Sequence, residues 1–137
     1  MSALAECDDP AVSFDIFLEG FANGDPAECD GPAMLAVLEP LISDRRGDWA
    51  RIVTADGEAD VYGLDDPSAG LMVNHLSGVA AWDVLYQLAV EGRVAVMPVG
   101  YPPCVADPDY LDQLPEGFED ATVVQSGGEI LRLVHEG

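Results

Sequence analysis

ARIVTADGEADVYGL, residues 50–64, reads as an antiparallel hairpin. Two β-rich runs flank Asp56-Gly57, and that dipeptide favours a type I′ turn, which needs positive φ at both central positions. Upstream, VSFDIFLE (12–19) alternates, with Val12, Phe14, Ile16 and Leu18 on one face and polar residues on the other, the pattern of a half-buried strand. NGDP at 23–26 is a turn signal that ends it. Asp30 can cap a helix with Pro32 in its first turn, and Met34, Leu35, Val37, Leu38, Leu41 and Ile42 fall on one face of it. Pro40 should end or kink that helix near Glu39.

Downstream of the hairpin, LMVNHL (71–76) predicts another strand. SGVAAWDVLYQLAVEG (77–92) predicts a helix capped by Ser77, whose only polar stripe is Asp83, Gln87 and Glu91. A helix this apolar packs on more than one side, or hides a face in a partner. VAVMPV (94–99) is a short apolar strand, and Asp107-Pro108 opens a short helix. TVVQ (122–125) is a last strand, after which Ser126 and Glu129 make a capping-box pattern ahead of ILRLV. The expected fold is α+β: a single domain over 1–137, with a mixed, mostly antiparallel sheet of about six strands and three to four packed helices. Residues 1–10 are expected to be a flexible N-terminus.

Charge is the dominant feature. The chain has 26 Asp plus Glu against five Arg and no Lys, a formal net charge of −21. Such a field repels nucleic acid and anionic lipid and speeds encounter with a basic partner. A biased proteome or a simply solvated acidic surface accounts for the same composition. Sixteen acids lie in residues 6–66, two in 67–106 and eight in 107–137, in singles and pairs rather than long blocks. That is an acidic skin on a folded domain, not a disordered acidic tail. No signal peptide opens the sequence, and no run is long and apolar enough for a membrane helix, so a cytoplasmic protein without a membrane contact is expected.

Cys7, Cys29 and Cys104 are odd in number and far apart, which suits free thiols in a reducing compartment. In VGYPPCVADPDYLD (99–112), Cys104 lies just past a strand. If 71–76 and 94–99 run parallel about a crossover helix, His75 and Cys104 share one sheet edge, and a thiolate beside an imidazole is an activated nucleophile. Against this, Cys104 follows Pro102-Pro103, and an acidic field raises a thiol pKa. The alternate carboxylates of DGEAD and DPDYLD suggest calcium. The sixth and twelfth positions of an EF-hand loop hold Val61 and Pro67, or Asp112 and Phe118, and neither pair matches. No metal site or cofactor is expected, and no phosphate-binding loop, dinucleotide fingerprint or hydrolase motif is present.

Binding remains. The hairpin with the following Asp65-Asp66 displays Asp56, Glu58, Asp60, Asp65 and Asp66 around Tyr62, an aromatic anchor ringed by steering charges. FDIFLEGFANGDP (14–26), GVAAWDVLYQLAVEGRVAVMPVG (78–100) and VVQSGGEILRLV (123–134) resemble a pattern in small acidic bacterial proteins of unknown function, similar in style to immunity proteins that neutralise polymorphic toxins. The resemblance implies a non-enzymatic module that covers a basic toxin or another basic protein, with no catalytic residues to carry over. Two other readings stay open: a small enzyme using Cys104 and His75, and a homodimeric structural or assembly subunit joined through helix 77–91.

Overall fold

The computed structural model of the chain describes residues 15–136; Val12, Phe14 and the expected flexible 1–10 lie outside them. Strand β1 (Ile16–Ala22) is central. Its Ile16 and Leu18 are fully buried on one face, while Phe17 and Glu19 occupy the other. Asn23 and Gly24 have φ of 54° and 84° and turn the chain into β2 (Asp25–Ala27), which pairs back on β1. The two-residue turn with positive φ at both positions therefore stands here.

Helix α1 (Gly31–Leu38) is capped as expected, with Asp30 Oδ1 accepting the Ala33 N–H at 3.1 Å. Pro40 ends it in a short 3-10 turn, Glu39–Leu41. Ile42, expected on the helix, instead starts β3 (Ile42–Arg46). The sequence ISDRR has no apolar alternation, and it is a strand because its backbone pairs with β4 (Trp49–Val53). Charged residues and a register shift between Ile42 and Asp44 suit its place at the sheet edge.

Strand β4 pairs with β5 (Glu58–Tyr62), and β5 with β6 (Leu71–Asn74). Strand β6 lies on one side of β1, and β7 (Ala95–Pro98) lies on the other, both antiparallel to it. Strands β6 and β7 are therefore parallel to each other with β1 between them, and helix α2 (Ala80–Gly92) makes the crossover. Two short strands, β8 (Cys104–Val105) and β9 (Thr122–Val123), complete the order β3-β4-β5-β6-β1-β7-β8-β9, with β2 off the path on β1. The sheet thus has nine strands rather than about six. The additional ones, β2, β3 and β8, are too short or too polar to show a period of two, while β9 falls within the strand expected at 122–125.

The hairpin at 50–64 forms, but neither Asp56 nor Gly57 has positive φ. The loop closes through Thr54 N–H on the Gly57 carbonyl at 2.8 Å. Asp56 is turned elsewhere: its Oδ2 accepts the Val79 N–H at 2.8 Å and its Oδ1 the Ala80 N–H at 3.0 Å. The cap of α2 therefore comes from the hairpin tip and not from Ser77. Ser77 pairs with Glu58 instead, its Oγ accepting the Glu58 N–H at 3.0 Å and its own N–H donating to the Glu58 carbonyl. A Cβ at Gly57 would overlap the Ser77 carbonyl, and one at Gly78 would overlap the Asp56 carboxylate.

Helix α3 (Gly127–Glu136) starts with the expected Ser126 cap, whose Oγ accepts the Glu129 N–H at 3.2 Å, while Glu129 Oε1 accepts the N–H of Gln125 at 2.9 Å, one residue before the position a capping box uses. Helix α2 lies between α1 and α3, with Trp82, Leu85 and Leu88 in the core. The expected short helix after Asp107-Pro108 is a 3-10 turn, Pro108–Gln113.

Replacing Asp56 with Ala should lower the melting temperature by a few degrees, Asp56→Asn should lower it less, and Asp65→Ala should leave it unchanged. Circular-dichroism melts make the comparison, and an Asp56→Ala protein that melts with the wild type would remove the cap from this account.

Candidate functional site

The two faces of the sheet are covered unequally. Ile16, Leu18, Ala50, Ile52, Val61, Val73 and Val96 point at the helices and form one core with Met34, Trp82, Leu88 and Ile130. On the opposite face, a second small core of Phe21, Ala95, Val105 and Tyr110 lies under residues 106–121. Phe21 and Phe118 meet there edge to face at 5.4 Å. This cover reaches only the β7–β9 side. From β3 to β1 no described helix contributes a core residue to the outer face.

Register lines that open face into rows. Trp49, Tyr62, Met72, Phe17 and Met97 are cross-strand neighbours in sequence across β4, β5, β6, β1 and β7. Arg51 lies over the Trp49 ring at 5.8 Å. Phe17 keeps 37% of its surface exposed, unusual for a phenylalanine on a central strand. Beside this apolar ladder runs a polar row, Asp44, Arg51, Asp60 and Asn74.

Asp60 is the one buried charged side chain among the described residues, 5% exposed. Its Oδ1 accepts from Arg51 Nε at 3.0 Å, and its Oδ2 lies 2.9 Å from His75 Nδ1. An ionised carboxylate only accepts, so His75 carries its proton on Nδ1 in this contact. Burial pushes the Asp60 carboxyl up, but the His75 and Arg51 hydrogen bonds outweigh it and hold the group below its ordinary value. His75 itself stands in the left-handed region, φ 53°, with its ring mostly exposed.

The six residues expected to bind a partner thus have different occupations. Asp56 is engaged by the start of α2, and the two backbone N–H groups hold its carboxyl below the ordinary value. Asp60 is engaged by Arg51 and His75, and Glu58 lies 3.6 Å from Arg51. Tyr62 is half-buried on the open face. Asp65 and Asp66 are exposed carboxylates at its corner. Asp48 is a residue the sequence reading missed. Its Oδ2 accepts the Gly63 N–H at 3.0 Å and its Oδ1 the Asp65 N–H at 3.1 Å, which fixes the corner that presents Asp65 and Asp66. Only the β4–β5 register brings Asp48 there, and no local spacing signals it.

Cys104 and His75 are not brought together. Cys104 pairs with Val96, Val96 with Leu18 and Leu18 with Leu71, so His75 is three strands away and four residues further along. Three strand spacings alone are about 14 Å. Cys104 is buried on the helix side and burial pushes its thiol up to about 11. Cys29, half-buried, is pushed up by burial as well, with its Sγ 3.4 Å from the Pro67 and Ser68 carbonyl oxygens. Among the described residues no group of three His, Cys, Asp or Glu side chains is placed to hold a metal ion, and no helix is long and apolar enough to cross a membrane. Helix α2 buries Trp82, Val84, Leu85, Leu88 and Ala89 inside the chain, against α1, α3 and the sheet, and leaves Val90 exposed.

Comparison with protein families, with curated proteins and with solved structures returns no match to the chain.

At pH 7 a thiol at about 11 is ionised to about one part in ten thousand. Native-state alkylation with iodoacetamide should therefore modify Cys29 well before Cys104, with the difference abolished in denaturant; peptide mass mapping reads it. Asp60, held below its unfolded value of 3.8, contributes stability that is complete well above that pH and is lost as pH falls through its folded value. The stability gap between wild type and Asp60→Asn, measured by denaturant unfolding, should accordingly narrow between pH 6 and about 3. A constant gap would detach Asp60 from that charge-dependent contribution.

Proposed function

We propose that this chain is a non-enzymatic, acidic protein-binding module that captures a basic protein partner, in the manner of an immunity-type inhibitor covering a basic toxin. The observation that carries the reading is the half-covered sheet. A ladder of Trp49, Tyr62, Met72 and Phe17 lies open beside the carboxylates of Glu19, Glu58, Asp65 and Asp66. Large apolar side chains on a continuous face that no described helix covers supply the contact that persists, and aromatic residues are the usual anchors of such contacts.

The net charge of −21 supplies the encounter. Steering of this kind acts over roughly a Debye length, about 8 Å at physiological salt, and raises association rates by orders of magnitude at low salt. The same field disfavours direct contact with nucleic acid, so a nucleic-acid-directed toxin would be blocked by occupying its basic surface. The unpaired thiols suit the cytoplasm as the place of action.

The two contributions separate kinetically. Asp65→Arg with Asp66→Arg should slow association with the partner about tenfold at low salt and flatten its salt dependence. Phe17→Ser with Tyr62→Ala should leave association nearly unchanged and speed dissociation. The partner is recovered first by affinity capture from the native organism at low and then high salt, read by mass spectrometry. Surface plasmon resonance then gives both rates. An absence of any basic protein in the low-salt fraction ends the proposal, and so does capture that neither pair of substitutions affects.

A further inference from the structure

Away from the open face, two adjoining cavities of about 430 and 380 Å³ share Arg93 and Tyr110 on their walls. These volumes fall in the range of small-molecule sites. The first lies between the end of α2 and residues 106–110, and Tyr86, Ala89 and Val90 give it an apolar wall. Asp107 lines the first cavity and Asp109 the second. No residue of either belongs to the apolar ladder, so the inference is independent of the proposed protein contact.

Arg93 is anomalous in two ways. It ends α2 in the left-handed region, φ 56° and ψ 55°, where glycine is the ordinary residue and any side chain is strained. It also has no ion pair or hydrogen bond among the described residues, in a chain with 26 carboxylates. Arg46 and Arg51 have carboxylate partners, and Arg45 donates to the Gly47 and Leu64 carbonyl oxygens; Arg132 shares the lack of a described partner but lines neither cavity. A strained backbone that holds an uncommitted guanidinium at the junction of two cavities is placed for an outside acceptor.

Tyr110 supplies a second donor. Its buried hydroxyl accepts the Phe21 N–H at 2.7 Å, which leaves its own proton without an acceptor among the described residues. Burial raises this hydroxyl above its ordinary value, and Arg93 is near enough to counter part of the rise. Two donors therefore line both cavities, with Asp107 on the wall of one and Asp109 on the wall of the other. Asp107 Oδ1 is taken by the Asp109 N–H at 2.9 Å, and no hydrogen bond among the described residues engages Oδ2.

We infer that this cleft binds a small zwitterion with an apolar body, an α-amino acid being the simplest case. Its carboxylate is held by Arg93 and the Tyr110 hydroxyl, its ammonium lies between Asp107 and Asp109, and its side chain rests on Tyr86, Ala89 and Val90. A simple anion would have to enter the field of a protein with net charge −21, and a zwitterion of no net charge does not. A simple cation would leave Arg93 and Tyr110 unanswered and face the guanidinium directly.

The full chain is titrated with L-phenylalanine, with phenethylamine and with hydrocinnamate, followed by amide chemical shifts and calorimetry. L-Phenylalanine is expected to saturate in the millimolar range with shifts confined to residues near 86–94 and 106–113, and each single-charge analogue to bind at least tenfold more weakly. Arg93→Gly is expected to abolish this binding while holding or raising the melting temperature, because glycine takes the left-handed conformation without strain. Asp107→Asn keeps the turn cap and should weaken only probes that carry an ammonium. The inference is overturned if no probe saturates, if phenethylamine binds as well as L-phenylalanine, or if Arg93→Gly binds like the wild type.

Discussion

The carboxylate of Asp56 joins three elements that are distant in sequence. It lies at the tip of the β4–β5 hairpin and holds the first free N–H groups of α2, just beyond the exit of β6. A helix start leaves such groups without intrahelical partners, and at the exposed start of α2 the Asp56 carboxylate answers two of them. Because the acceptor sits on the hairpin, α2 can begin in only one place relative to the sheet. Its course over β1 to β7 follows, and with it the antiparallel setting of β1 between β6 and β7. Gly57 and Gly78 are the spatial condition for this joint, since a side chain at either position would fill the gap that the carboxylate and the Ser77 carbonyl occupy.

The same use of acids recurs through the molecule. With five arginines for 26 carboxylates, most acidic groups have no cation to pair with. Asp30, Asp48, Asp56, Asp107, Glu119 and Glu129 instead accept from backbone N–H groups at helix starts and turns. A charged acceptor on a backbone donor is a stronger bond than a neutral one. Part of the acidity is therefore structural, and it fixes loops that would otherwise rely on tertiary packing. Asp60 is the exception that draws the Arg51 guanidinium and the His75 imidazole, and it does so on the side of the sheet that no described helix covers.

Unequal cover follows from chain length between elements. The segment from β8 to β9 is long enough to fold back over β7, β8 and the end of β1, where it closes a small second core around Phe21. Nothing comparable follows β3 or β4, whose connections are tight turns, and the link from β5 to β6 over 63–70 holds only the 3-10 turn Pro67–Ala69, which packs against α1. Their outward side chains are left to pack sideways on one another, which is why Trp49 carries Arg51 and why Tyr62, Met72 and Phe17 form a ladder.

The elements with strong local signals were legible: the alternation in β1, the Asp30 and Ser126 caps, the apolar helix α2, the stop at Pro40 and the hairpin at 50–64. The parallel relation of β6 and β7 stood in the sequence only as a condition, and the crossover of α2 with β1 lying between the two strands decides it. Strands β2, β3 and β8 were not legible, because two to five residues of mixed polarity carry no period and become strands only by pairing. Asp56 was legible as a turn residue, yet its function as a helix cap depended on a contact 23 residues away. The sequence by itself determined the fold class, the acidic surface and the separate propensities, all of which are local or additive. Tertiary structure alone decided which carboxylates are consumed, that Asp60 meets His75 while Cys104 does not, and that Arg93 stands between two cavities. Each of these depends on register and crossover, which bring together residues that no spacing along the chain relates.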